Sequence, residues 1–247
     1  MMNSTISKEI NALVLKSVPY KESSLLLTVL TKESGKQNVL CRGVKRCKKE
    51  KLFAEKFAYS KMRLYVGRGI PVVDDAELTE PFYALRQDIE KLSLAEYFCE
   101  VVLCIPFGSG DDKILSLLLN SFWLLCGSEV SPLVVKTAFE LKFAQHEGFA
   151  PMDFDCSCGK PAEKWSFSRG FLCDDCAKGD GVYVSQAIIN AVRHILSYDG
   201  RRAYSFEMNE EALSYLSKIT EKYLQYHLDT KFDTLEYYKK FMEADFG

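Results

Sequence analysis

Four of the nine cysteines in this 247-residue chain fall in one short stretch, DCSCGKPAEKWSFSRGFLCDDC, from Asp155 to Cys176. The pattern is Cys156-x-Cys158, fourteen residues, then Cys173-x2-Cys176, with Gly159 after the first pair and Gly179 and Gly181 beyond the second. Thiolates are soft ligands that favour a tetrahedral divalent ion, and two chelating turns joined by a loop can meet across one such ion. The expectation is a single structural zinc held by Cys156, Cys158, Cys173 and Cys176. The common knuckle has two residues between its cysteines and the first pair here has one, which leaves Asp155 or His146 as substitute ligands. Free thiols and a redox or iron site are the other uses of such a cluster. Four thiolates leave no open coordination position for water or substrate, so catalysis at this ion is not expected. Trp165, Phe167 and Phe171 lie in the intervening loop, ready to cover a ribbon too small for a core of its own. Cys41, Cys47, Cys99, Cys104 and Cys126 read as small core residues.

A second kind of chemistry is carried by charge. The stretch CRGVKRCKKEKLFAEKF contains Arg42, Lys45, Arg46, Lys48, Lys49, Lys51 and Lys56, interleaved with Phe53 and Phe57; Lys61, Arg63, Tyr65 and Arg68 follow. Cations neutralise phosphates and release counterions, while aromatic rings offer unstacked bases a surface. Residues 1–70 hold 15 Lys and Arg against 5 Asp and Glu, a net of +10, and the remaining residues hold 17 against 29, a net of −12. A basic first part joined to an acidic remainder predicts a polyanion partner for the first part.

The elements that must position these residues follow from periodicity. Five short segments rich in Leu, Val and Thr (NALVLKSV, SSLLLTVLT, KQNVLCRGV, FAYSKMRLYVGRG and PVVDDAELTE) predict five strands within about 75 residues, and hence a five-stranded OB-fold β-barrel over residues 1–80. From Pro81 the period changes to three and four. One amphipathic helix is predicted over Phe82 to Ile105, then helices within 111–126, 131–148, 185–198 and 209–228, with a short C-terminal helix and a fraying tail. The fold class is thus α+β multidomain: the barrel, then an α-helical domain over 81–247 with a zinc ribbon inserted at about 151–182.

No apolar run approaches the length of a membrane span and no secretory leader pattern opens the chain, so a cytoplasmic protein without persistent disulfides is expected. GRGIP has too few glycines for a nucleotide loop. The acidic pairs Asp74-Asp75, Asp111-Asp112 and Asp174-Asp175 have a spacing common in loops, and His146, His194 and His227 are scattered. No nucleophile with a base emerges, and the expectation is a protein that is not an enzyme.

In order and in detail these features resemble the RecO family of bacterial recombination mediators. The likeness is carried by NALVLKSVPYKESSLLLTVLTKESGKQNVLCRGVKR, by LYVGRGIPVVDDAELTEPFYALRQDIEKLSLAEYFCEVV, and by GFAPMDFDCSCGK with CDDC. It runs from about residue 8 to 227 and is densest in the first hundred residues. The resemblance implies an N-terminal OB-fold, a helical domain and an inserted zinc ribbon. It implies binding of single- and double-stranded DNA, annealing of complementary strands, and contact with the C-terminal tail of single-stranded-DNA-binding protein. It also implies cooperation with RecR in loading RecA, near the bacterial nucleoid and without enzymatic turnover. Carried onto this chain, the zinc ligands are Cys156, Cys158, Cys173 and Cys176, although the family usually has two residues within the first pair. DNA contacts fall among Arg42, Lys45, Arg46, Lys48 and Lys49. An acidic tail needs a local basic and apolar pocket on a net-negative helical domain, and Arg193, Arg201 and Arg202 are the expected contributors. The rival reading is a zinc-ribbon protein–protein adaptor without intrinsic DNA activity.

Overall fold

A computed structural model describes residues 6–43, 49–108, 112–127 and 129–245. Strands β1 (Ile6–Tyr20), β2 (Ser24–Thr31), β3 (Gly35–Cys41), β4 (Tyr59–Val66) and β5 (Val72–Glu80) close into a barrel in the order β1-β2-β3-β5-β4. Neighbours are antiparallel except β3 and β5, which run parallel with the register Leu40↔Val72 and Cys41↔Val73. This is the five-stranded OB barrel that the sequence predicts.

One long strand makes closure possible. The first half of β1 pairs with β4 (Ile6↔Val66 to Leu13↔Tyr59), and its second half pairs with β2 (Ala12↔Thr31 to Tyr20↔Ser24). A bulge between Val14 and Lys16 turns the strand from one sheet to the other. Ile10, Ala12, Val14, Leu27, Val39 and Met62 point into the barrel, while Leu13 and Leu15 are also fully buried on the outer side. Burial on both faces explains why the run ALVL shows no alternation.

In place of the one helix predicted over Phe82 to Ile105 there are two pieces. Residues Tyr83–Gln87 form a 3-10 turn, and α1 (Ile89–Leu103) starts afresh. The cause is Asp88, whose carboxylate accepts the N–H groups of Glu90 and Lys91 at 2.9 and 3.2 Å and so caps a new helix. The opposite end of α1 is met by Lys36. Its buried ammonium donates to the Leu103 carbonyl and lies 4.7 Å from the Phe107 ring centre, a cation placed at the negative end of a helix. Helix α2 (Asp112–Gly127) follows, and the Phe122 ring on it makes T-shaped contacts with Phe57 and Phe82 at 5.4 and 5.3 Å.

The chain divides into two compact units, Met1–Phe122 with Thr234–Gly247, and Trp123–Asp233. The change from strand to helix falls at 80/81, whereas the units part within α2. From Thr234 on, the C-terminal helix α7 (Asp233–Asp245) belongs to the first unit; it is the C-terminal helix the sequence predicts, 13 residues long, and the tail beyond it lies outside the described residues. Thr234 anchors it by donating its backbone N–H to Glu100 Oε2 at 3.1 Å.

The second unit contains α3 (Pro132–His146), the ribbon strands β6 (Lys164–Ser166) and β7 (Gly170–Leu172), the single turn α4 (Asp174–Ala177), β8 (Val182–Tyr183), α5 (Gln186–Ser197) and α6 (Glu210–Leu228). Ser131, Ser185 and Asn209 cap α3, α5 and α6 with their side chains, at the positions the sequence marks. Buried Lys136 on α3 lies 2.8 Å from Glu140 and 3.6 Å from Glu221 of α6, and donates to the Ser217 hydroxyl at 3.1 Å. Removing one member would leave a buried charge uncompensated.

Candidate metal centre and nucleic-acid interface

The ribbon is a three-stranded sheet in the order β7-β6-β8. Its apolar cluster consists of Cys156, Leu172, Cys173 and Ala177, with Cys176 packed against them. Three of those five residues are cysteines, so the sulfurs occupy the place a core would fill. The two cysteine pairs come from different local structures. Cys156 and Cys158 sit in a tight turn in which Gly159, at φ +83°, donates its N–H to the Cys156 carbonyl at 2.8 Å. That left-handed glycine lets a pair with one intervening residue double back. Cys173 is the N-cap of α4, and Cys176 follows one helical turn later.

All four sulfurs lie within 4.8 Å of one another, with Cys158 at 3.5 Å from Cys156 and 3.6 Å from Cys173. A tetrahedral ion with bonds of about 2.3 Å spaces its sulfurs by about 3.8 Å, whereas a disulfide needs about 2.05 Å. The geometry is that of a metal site. Backbone N–H groups of Cys158 and Cys173 point at the Cys156 sulfur and bring its thiol down to about 6. Cys176, hydrogen-bonded to the sulfurs of Cys156, Cys173 and Cys158, is pushed up to about 12. Thiolates this close resist ionising together unless a cation sits among them, and a divalent ion supplies that charge. The donor set therefore fits one metal ion. Exposed Asp155 and half-buried His146 are not members of the four-sulfur group.

Polar contacts fix the ribbon around this centre. Arg169 donates to the carbonyls of Cys176 and Ala177 at 3.1 and 3.0 Å and to Asp180 at 3.1 Å; Ser166 donates to the same carboxylate at 2.6 Å. Asp180 is held below the usual carboxylate range by these two donors. Fully buried Trp165 packs against Phe171 and Tyr223 at 5.0 and 4.9 Å, which seats the ribbon on α6.

The basic residues sort themselves onto two sides of the barrel. Lys45, Arg46 and Lys48 lie outside the described residues, as do the side chains of Lys49 and Lys51. On the side made by the second half of β1 with β2 and β3, residues 12–20, 24–31 and 35–41 contain no Asp or Glu. The register lays out one polar row, Lys16↔Thr28↔Asn38, and one half-buried apolar row, Val18↔Leu26↔Leu40. The pair Leu25↔Cys41 places exposed Arg42 beside Ser24 and the turn that carries Lys21 and Glu22. Arg68 is exposed in the β4–β5 hairpin, close in sequence to exposed Tyr65 and Ile70. Among the described residues no acid pairs with Lys16, Lys21, Arg42 or Arg68. Lys16 and Lys21 are isolated in sequence, and no charge run flags them. Only the strand register shows that they share a side with Arg42.

The side made by the first half of β1 with β4 and β5 is different. Its rows are Glu9↔Arg63↔Asp75 and Asn11↔Lys61↔Glu77. Arg63 lies 2.9 Å from Asp74 and 3.4 Å from Asp75, and Lys61 lies 2.9 Å from Glu9. Lys56 pairs with Glu96. Asp74 and Asp75 lie in β5, in the segment PVVDDAELTE that the sequence predicts as a strand. A bulge opposite Arg63 and Leu64 turns both carboxylates to one guanidinium.

The three arginines expected to meet a partner are on α5 and the 3-10 turn Gly200–Tyr204 packed against it. Arg193 lies 5.0 Å from the Phe154 ring centre, Arg202 lies 4.3 Å from that of Tyr198, and Arg201 is exposed. His194 hydrogen-bonds the Arg202 carbonyl at 2.9 Å, which ties helix and turn together.

Comparison with known proteins accounts for nearly the whole chain. The family described as Recombination protein O N terminal matches residues 2–82, and Recombination protein O C terminal matches residues 86–236. The DNA repair protein RecO of Alkaliphilus metalliredigens is 30% identical over 237 residues, covering 92% of this chain and 96% of that one. The proteins of the same name from Acetivibrio thermocellus and Oceanobacillus iheyensis are 27% and 26% identical, covering 93% and 87% of this chain and 95% and 86% of theirs. No described helix is long and apolar enough to cross a membrane.

Proposed function

The chain belongs to the RecO family, and on that premise we propose that it is a DNA repair and homologous recombination mediator that binds single- and double-stranded DNA. The observation that carries the reading is the side of the barrel whose strands hold no Asp or Glu, where Lys16 and Arg42 stand exposed around half-buried apolar strand positions and Lys21 shares its turn with Glu22. Phosphates would be neutralised by these cations and by Lys45, Arg46, Lys48 and Lys49, and bases would meet the apolar row. Arg68, on the β4–β5 hairpin, adds a further cation.

Annealing follows from the same physics. Two strands of like charge approach more readily when a protein screens their phosphates and leaves their bases presentable. In this reading the protein acts without turnover in the cytoplasm, at the nucleoid, and helps RecR load RecA onto strands coated with single-stranded-DNA-binding protein. The acidic tail of that protein would engage Arg193, Arg201 and Arg202, where cations alternate with rings. The four cysteines would hold one zinc ion, which supplies shape and no chemistry.

The test is the affinity for a labelled single-stranded oligonucleotide across a salt series. Wild type is compared with a variant carrying Glu at Lys45, Arg46, Lys48 and Lys49. Steep weakening with salt in wild type and collapse in the variant support the reading. Absence of salt-sensitive binding in wild type refutes it in favour of a protein–protein adaptor.

A further inference from the structure

The two sides of the barrel differ in more than their number of cations. On the β1–β4–β5 side every exposed cation of the central rows faces carboxylates: Arg63 meets Asp74 and Asp75, and Lys61 meets Glu9 with Glu77 across from it. Glu9, Lys61, Arg63, Asp75 and Glu77 line one shallow cleft. Asp74 and Asp75 hold the Arg63 guanidinium through Nε and Nη2, the donors that would otherwise fork onto a phosphate.

We propose that Asp74 and Asp75 act as an internal substitute for phosphate, occupying Arg63 and closing the β1–β4–β5 side to nucleic acid, so that a strand is confined to the β1–β2–β3 side, whose strands hold no acid. This rests on the DNA-binding reading above and adds to it a path and a pair of specificity-determining residues. A phosphate approaching Arg63 must displace two carboxylates already within 3.4 Å and is repelled by Glu9 and Glu77 beside them. A phosphate approaching Arg42 displaces no paired carboxylate among the described residues.

The measurement is the slope of log affinity against log salt for a labelled oligothymidylate, because each phosphate neutralised on a single strand contributes about 0.7 to that slope. Arg63→Ala is expected to leave the wild-type slope unchanged, whereas Arg42→Ala lowers it by about 0.7. The double variant Asp74→Asn/Asp75→Asn releases Arg63 and steepens the slope by about 0.7, and adding Arg63→Ala to that double variant removes the gain. All of these side chains are exposed, and an unchanged melting temperature and metal content verify that each variant folds. A slope lowered by Arg63→Ala alone overturns the proposal, as does a double variant with the wild-type slope. Wild type without salt-sensitive binding overturns the DNA-binding reading itself, a failure visible before any variant is compared.

Discussion

In the barrel, eleven buried side chains from β1 to β4 and the segment between β3 and β4 close on one another; in the ribbon, three of the five clustered residues are cysteines. The barrel is held by area removed from water, spread over many positions. The ribbon is held at one point. Its charges differ as well, since Lys160, Lys164 and Arg169 each lie within 3.1 Å of an acid (Asp175, Asp174 and Asp180). A fold that carries its own core can leave surface cations unpaired for a ligand. One that depends on an ion commits its polar side chains to bracing, and the β1–β2–β3 side and the ribbon illustrate the two cases.

Metal removal should give the largest effect and is the most direct way to break this contrast. Structural zinc supplies about 10–16 kcal/mol of apparent binding free energy to small cysteine and histidine domains. Chelation, or Cys173→Ser, is expected to abolish metal binding and accelerate amide exchange throughout residues 156–183. Trp165 emission, read in a Trp123→Phe background, is expected to shift to the red. Protection in β1 to β5 should stay unchanged, and its loss would show that barrel and ribbon are not independently held. Leu27→Ala probes the other side of the comparison. Leu27 is fully buried in the barrel, and the truncation should cost about 2–5 kcal/mol in denaturant unfolding while metal content stays at wild type.

A smaller effect is expected from Gly181→Ala. Gly181 has φ +84°, and an added Cβ would stand 2.7 Å from the Trp165 carbonyl oxygen and 2.9 Å from the Ser166 nitrogen. Both contacts are backbone in the central ribbon strand, so relief requires β8 and β6 to part. A strained position of this kind costs about 1–3 kcal/mol. The variant should release its metal to a chelator faster than wild type, and an unchanged release rate would mean that ribbon pairing does not brace the metal turns.

Much of this is legible from sequence because the informative residues act locally. Ser131, Ser185 and Asn209 cap helices through their own neighbours, and the spacing of the four cysteines marks a metal site while leaving Asp155 or His146 as substitutes, a choice that only the four sulfurs' proximity narrows. What is not legible depends on register. Nothing in the string VVDDAEL says that a bulge will turn Asp74 and Asp75 to one side, and nothing near Lys16 or Lys21 says that they flank Arg42. Lys36 is a similar case, a lysine in a strand whose role at the end of α1 exists only once Leu103 is beside it. Asp88 differs from these, since its capping chemistry is local, but the apolar period runs on through it from Phe82 to Ile105 and hides the break.

The smallest effect concerns pH, at the seat of the ribbon on α6. His227 stacks on Phe149 at 4.7 Å, lies 4.4 Å from Tyr223, and bonds the Phe167 carbonyl at 2.9 Å. Burial among these rings disfavours the imidazolium and lowers the pKa, although the carbonyl pulls in the opposite direction. An unfolded histidine titrates near about 6.5, so on acidification the unfolded chain takes up this proton before the folded one. The contribution of His227 is therefore fully present above about pH 6.5 and is lost as pH falls toward the folded value. His227→Gln should flatten the decline of the second unit's melting temperature between about pH 7 and 5, with the barrel unaffected. The imidazole resonance of wild type should titrate below about 6.5; a midpoint at or above that value would mean that the Phe167 carbonyl, and not burial, dominates at this contact.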